Sequence, residues 1–257
     1  MGQRETVAEH QQVRDLYING EYLRKNPGWH TEAAPWKARA ILQMLRRNRL
    51  DVRSVGDIGC GSGEILRLLQ RSLSPECTFH GYEISPQAYE LAKERENERL
   101  HFHLADFRYE QDASFDLLLL IDVIQHIEDC YGYLRDIQPR STYTLFQFPI
   151  DITAQSVIRN QLITFHRNYG HIHFFDKSLA LKFVRDCGYE ILDVRYTLPP
   201  LMTRRFPRNP LQWPRYTAQF LWRALRRLPG WLLYQFNPDL AVRLLSGWRL
   251  MVLAHRP

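Results

Sequence analysis

The run Asp57-Ile58-Gly59-Cys60-Gly61-Ser62-Gly63 has the clearest chemical content in this chain. A strand-like stretch, 53–58, leads into it, and helical apolar spacing (Ile65, Leu68, Leu69) follows it. Glycines let a backbone turn sharply and approach a ligand closely. The start of a helix offers unsatisfied N–H groups to an anionic group. A G-x-G-x-x-G dinucleotide loop would need its last glycine where Glu64 stands, so that fingerprint fails. No Gly-Lys-Ser/Thr ending is present either, which excludes a phosphate loop. What remains is a loop for another nucleotide-like ligand. Glu83 follows the next strand, about 20 residues after the glycines, where an acid can accept both ribose hydroxyl hydrogens.

These residues need strand ends to hold them, and the chain supplies a regular alternation. Helix is predicted over 35–47, with Pro35 in a permitted first-turn position. Strands are predicted over 53–58, 77–83, 100–104, 115–121, 142–148 and 189–195. Helices are predicted over 64–71, 86–96 with Ser85 as N-cap, 128–136, 153–165 and 178–187, the last closed by Gly188. The continuous apolar run 115–121 suits a central strand buried on both faces. Such alternation predicts a Rossmann-like, doubly wound α/β sheet. Residues 198–245 break the rhythm with seven prolines and two helical stretches, 216–227 and 238–245. The final apolar run, 248–254, reads as a seventh strand that pairs with the sixth and closes a mostly parallel sheet in antiparallel sense. The expected organisation is a helical N-terminal segment (1–34), a core (35–197 and 246–257) and a basic helical insertion between strands six and seven (198–245).

In order along the chain, the Gly-rich loop, Gly81-Tyr82-Glu83-Ile84-Ser85, Leu104-Ala105-Asp106-Phe107 and the strand 115–121 with its sequel Asp122 to Asp129 resemble the motifs of class I S-adenosylmethionine-dependent methyltransferases. The run from Gly170 to Phe175 and Gly188-Tyr189-Glu190 resemble the end of the small-molecule group, the type 11/12 methyltransferase domains. The resemblance covers roughly residues 35–196 and the last strand. It implies S-adenosyl-L-methionine as cofactor, held by Asp57, Gly59, Cys60, Gly61, Gly63, Glu83, Ile84, Asp106, Phe107 and Asp122. Asp106 would meet the adenine amine, or else only cap a helix; Asp122 would meet the methionine amine or the substrate, or else cap a turn. Gln125 stands where the family pattern often has Glu, so no role of that acid carries over.

Methyl transfer needs alignment above all, and a general base where the acceptor must lose a proton. Histidine has the right ordinary pKa for that task. The candidates are His126, after the fourth strand, and His171 and His173, after the fifth, with His166 nearby. His171 and His173 resemble a metal pair, but no third ligand has clear spacing, so no metal is expected.

Composition narrows the partners. Four scattered cysteines form no C-x-x-C pair, and no stretch of 18 apolar residues occurs. The polar start, Met1 to His10, argues against a signal peptide, so a cytoplasmic enzyme is expected. The net charge of +6 is asymmetric: residues 201–257 hold ten arginines against one acid, Asp239. In the insertion, arginines such as Arg204, Arg205, Arg208, Arg215, Arg223, Arg226 and Arg227 mingle with Trp213, Trp222 and Trp231. That mixture suits an anionic group on a small acceptor, a peripheral contact at the inner face of a membrane, or an ordinary cap with arginines facing water. The favoured acceptor is an O or N atom of a sugar, a lipid-linked glycan or another metabolite. Two alternatives stand beside it: a nucleic-acid methyltransferase, disfavoured by the lack of an Asn/Asp-Pro-Pro-Tyr/Phe motif, and a non-catalytic cofactor-binding subunit.

Overall fold

A computed structural model describes residues 19–20, 24, 28–29, 31–200 and 213–257. Most of the expected N-terminal segment, together with Arg204, Arg205, Arg208 and the side chain of Arg215, lies outside the described residues. The chain forms α1 (Ala34–Arg47), β1 (Ser54–Ile58), α2 (Glu64–Gln70), β2 (Thr78–Glu83), α3 (Pro86–Lys93), β3 (Leu100–Leu104) and β4 (Phe115–Ile121). There follow α4 (Cys130–Ile137), β5 (Ser141–Pro149), α5 (Ala154–Ile158), α6 (Gln161–Tyr169), α7 (Lys177–Asp186) and β6 (Glu190–Thr197). The chain ends with α8 (Trp213–Phe236), α9 (Pro238–Leu244) and β7 (Arg249–His255).

The seven strands lie in the order β3-β2-β1-β4-β5-β7-β6. β1 to β5 are parallel to their neighbours, and β7 is antiparallel to both β5 and β6. β4 shows why the sheet is sandwiched. Leu118 and Leu120 enter one core with Phe146, Phe148 and Phe183, while Leu117 and Leu119 enter the other with Val55, Ile41 and Leu66. Both faces of one strand are therefore dry, as a doubly wound sheet requires.

Two local expectations change. The predicted helix 153–165 is two helices, because Asn160 adopts the left-handed region (φ 51°) between α5 and α6. Ser85 does precede α3, but its side chain makes no capping bond to the helix backbone; its hydroxyl is hydrogen-bonded to the Gln87 side-chain oxygen (2.9 Å). In the other direction, α8 is longer than the stretch 216–227 read in the sequence: it begins at Trp213 and runs through Pro229 to Phe236.

Topology places the site. Strand order reverses between β1 and β4, and the crevice beyond their carboxyl ends is where such sheets bind ligands. Thr197, the last residue of β6, pairs with Arg249, the first of β7, which also pairs with Pro149 at the end of β5. The chain between β6 and β7 must therefore leave and re-enter the sheet at that same edge.

Candidate active site

Each of the five parallel strands carries an acid at or just past its carboxyl end: Asp57, Glu83, Asp106, Asp122 and Asp151. All five line one open cleft of about 1460 Å³. The Gly-rich loop forms its floor. Gly59 and Gly61 both have positive φ (66° and 56°). A Cβ on Gly59 would meet Val123 at 2.8 Å, whereas one on Gly61 would meet open space. Gly61 therefore leaves room for a ligand beside its backbone. Gly63 is not on the cleft: a Cβ there would strike the Phe102 ring at 2.3 Å, so its role is close packing of α2 on the sheet.

Glu83 is nearly fully buried and holds the loop together. Its Oε2 accepts from the Gly61 N–H, and its Oε1 accepts from the N–H groups of Ile84 and Ser85, all at 2.9 Å. Burial raises its pKa, and these three bonds oppose the rise. A carboxylate has about four acceptor positions, so one is left for a ribose hydroxyl rather than two. Burial pushes the Asp57 carboxyl up to about 8, with Lys37 pulling it down and Glu83 adding to the rise. Asp57 Oδ2 is buried with no hydrogen-bond partner among the described residues.

Asp106 caps the short 3-10 turn Phe107–Tyr109 by accepting from the Arg108 N–H (3.0 Å), and it also pairs with the buried Tyr133 hydroxyl. Phe107 is fully buried, edge-on to Tyr82 and under the Arg140 guanidinium. Ile84 and Cys60 line the cleft, and burial holds the Cys60 thiol far from ionisation. Asp122 takes a left-handed backbone (φ 58°), unusual for a non-glycine residue although Asp tolerates it better than most. Lys37 from α1 meets its Oδ2 at 2.8 Å, and Arg249 from β7 approaches its Oδ1 at 3.4 Å. Burial would raise the Asp122 pKa, but Lys37 and Arg249 outweigh it and the carboxyl is held low.

The histidines separate. His126 is engaged through both ring nitrogens: Nδ1 donates to the Gly170 carbonyl (3.0 Å), and Nε2 accepts from the Gln125 amide (3.1 Å). Burial first, then neighbouring His171, lowers its pKa to about 4. His173 does not itself line the cleft; its Nε2 donates to the carbonyls of Ile127 and Glu128, which do. His166 is exposed and bonds the His171 carbonyl. His171 lines the cleft, its Nδ1 donating to Asp151 Oδ2 at 2.7 Å. Its Nε2 has no partner among the described residues. Asp151 was missed in the sequence because its only signal is its place just after β5, 20 residues before its partner.

The far wall comes from α8 and the start of β7. Arg223, Arg226, Arg227, Trp231, Trp248 and Arg249 line it. Tyr234 stacks on Trp248 (4.5 Å between ring centres), and Tyr196 and Lys177 both bond Asp239, which anchors α8 and α9 to the sheet. Arg227 donates to the Pro199 carbonyl (2.7 Å); burial and then nearby Arg223 lower its pKa. Among the described residues no cluster of three or more His, Cys, Asp or Glu side chains could hold a metal ion.

Residues 57–141 match the family model described as a methyltransferase domain. That match spans the Gly-rich loop through β4, and the fold around it is shared with solved methyltransferases that hold S-adenosylmethionine or S-adenosylhomocysteine. Solved structures with this fold include the magnesium protoporphyrin IX methyltransferase of Synechocystis PCC 6803 with bound S-adenosylhomocysteine. That protein is 13% identical, with a TM-score of 0.61, and the match covers 96% of this chain and 99% of that one. The plantazolicin methyltransferase BpumL, solved with a monoazolic desmethylPZN analogue and S-adenosylhomocysteine, is 14% identical (TM-score 0.58; 99% and 97% covered). A putative sarcosine dimethylglycine methyltransferase from Galdieria sulphuraria is also 14% identical (TM-score 0.56; 86% and 85% covered). At these identities the likeness is one of fold. The cleft itself fits such a cofactor chemically: Asp57 offers an orphaned buried oxygen, Gly61 leaves space beside its backbone, and Glu83 keeps an acceptor position.

Proposed function

We propose that this methyltransferase acts on an O or N atom of a small anionic acceptor, with His171 as general base and the α8 arginines as the anion clamp. The bound cofactor supplies an electrophilic methyl group whose transfer leaves a neutral thioether. The chain's own residues then have three tasks: to seat the cofactor, to orient the acceptor, and to take its proton.

The His171–Asp151 pair carries the reading. Asp151 accepts the Nδ1 hydrogen, which leaves Nε2 as the basic nitrogen of a ring that lines the cleft. As the acceptor attacks, its O–H or N–H proton passes to His171 Nε2, and the Asp151 carboxylate stabilises the charged ring. His126, edge-on to His171 at 5.1 Å, is kept neutral by burial and adds no competing charge. The anionic acceptor is supported by Arg226 and Arg227, which line the cleft with no carboxylate in ion-pair contact among the described residues. Guanidinium groups suit carboxylate or phosphate. Residues 198–245 then serve as the acceptor-binding cap on a core formed by 35–197 and 246–257.

The test is transfer of labelled methyl from S-adenosylmethionine to a panel of sugar phosphates, uronates and other small carboxylates, beside Asp151→Asn. Loss of general-base action costs about 100- to 10,000-fold. We expect a loss in that range with unchanged S-adenosylhomocysteine affinity. Full activity in Asp151→Asn would refute the base; labelling only of neutral acceptors would refute the clamp.

A further inference from the structure

Helix α8 is oriented opposite to an ordinary surface helix. Amphipathic helices turn apolar residues to the core and charged ones to water. In α8, Arg223, Arg226 and Arg227 line the cleft, with Arg223 and Arg226 also open to solvent, while Leu221, Leu225, Leu228 and Leu232 are exposed and lie off the cleft lining. The leucine spacing (i, i+4, i+7, i+11) sets them in one stripe along the helix. Trp222 and Phe236 flank that stripe and are also exposed, Phe236 to 87%. The apolar face extends along a helix of 24 residues, about 36 Å long. Contiguous apolar surface on this scale marks an interaction site.

Charge identifies what covers it. Between Asp193 and Asp239 there is no acidic residue, and there are eight arginines. Arg226 lies over the exposed Trp222 ring, 5.9 Å from its centre, at the border between the apolar and basic faces. Four leucines, Trp222 and Phe236 on one face, arginine on the other and no acid match the physics of a helix lying in the headgroup region of an anionic bilayer. A second copy of the chain would instead bring arginine-rich segments together without an acid to offset them. No described helix is long and apolar enough to cross a membrane, so α8 would lie on the surface rather than span it. We propose that the outer face of α8 docks the protein on an anionic lipid surface, with the arginine side of the helix still forming the wall of the cleft.

The full chain should cosediment with vesicles of phosphatidylcholine containing phosphatidylglycerol, and its tryptophan emission should shift to the blue. Binding to phosphatidylcholine alone should be much weaker, and added salt should reduce binding to the mixed vesicles. The triple variant Leu221→Ser, Leu225→Ser, Leu232→Ser alters only exposed side chains. It should lose about a hundredfold or more in vesicle affinity. Its circular dichroism and S-adenosylhomocysteine affinity should match the wild type. Three results would overturn the docking: no binding of the wild type to either vesicle, equal binding by the triple variant, or a stable wild-type dimer that the variant dissolves while vesicles bind neither.

Discussion

Glu83→Gln is the sharpest test of the cofactor site, because it keeps the side chain's shape and changes one oxygen to an NH2 group. In the wild type Oε1 takes two backbone donors and Oε2 takes one. The amide will settle with its oxygen toward Ile84 and Ser85, since the other orientation sets two donors against its NH2. The Gly61 N–H then faces another donor. A buried donor left unmet costs roughly 1–3 kcal/mol, so thermal stability should fall by that amount. Burial already opposes the charge on Glu83, and removing the charge offsets part of this loss. The second effect falls on the ligand. A hydrogen bond to a charged acceptor is worth about 1.5–3 kcal/mol, so loss of the ribose contact should weaken S-adenosylhomocysteine binding roughly 10- to 150-fold. Calorimetric titration reads the affinity, and thermal unfolding reads the stability. A variant that is destabilised yet binds S-adenosylhomocysteine like the wild type would make Glu83 a loop strut and refute the ribose assignment. Unchanged stability would refute the account of the Gly61 bond.

The pH dependence of stability should carry the signature of His126. Its folded pKa of about 4 lies below the ordinary 6.5, so the unfolded chain binds more protons between those values. Stability from this group is complete above pH 6.5 and is lost as pH falls toward 4, by about 2 kcal/mol at pH 5 relative to pH 7. Urea unfolding at the two pH values should show a smaller acid loss in His126→Gln than in the wild type, and equal losses would count against a neutral buried ring. The glycines offer a contrast. Gly63→Ala combines positive φ with a clash against Phe102 and should cost roughly 2–4 kcal/mol in unfolding experiments. Gly61→Ala meets open space, so its cost should be only the backbone penalty of about 1–2 kcal/mol. Equal destabilisation by the two would contradict their assigned roles.

Much of this protein is local enough to be legible in its sequence. The boundaries of β3 and β4 agree to the residue, because the apolar run of β4 and its flanking turns are set by neighbours in the chain. The Gly-rich turn, the acids at the strand ends and the insertion between β6 and β7 follow from the same short-range patterns. Side-chain partnership is different. Lys37 and Arg249 reach Asp122 only because α1 and the antiparallel β7 bring opposite ends of the chain to one cleft. Asp151 finds His171 across two helices, and that pairing separates His171 from His126 and His173, which look equivalent in the sequence. Glu83 lost most of its free acceptor capacity to N–H groups that only the folded turn aims at it. The arginines and tryptophans of α8 were plain to read, but which of them line the cleft and which face outward depends on how the helix is rotated against the sheet. The stacking of Tyr234 on Trp248 fixes that rotation, a contact between residues whose encounter no local periodicity dictates.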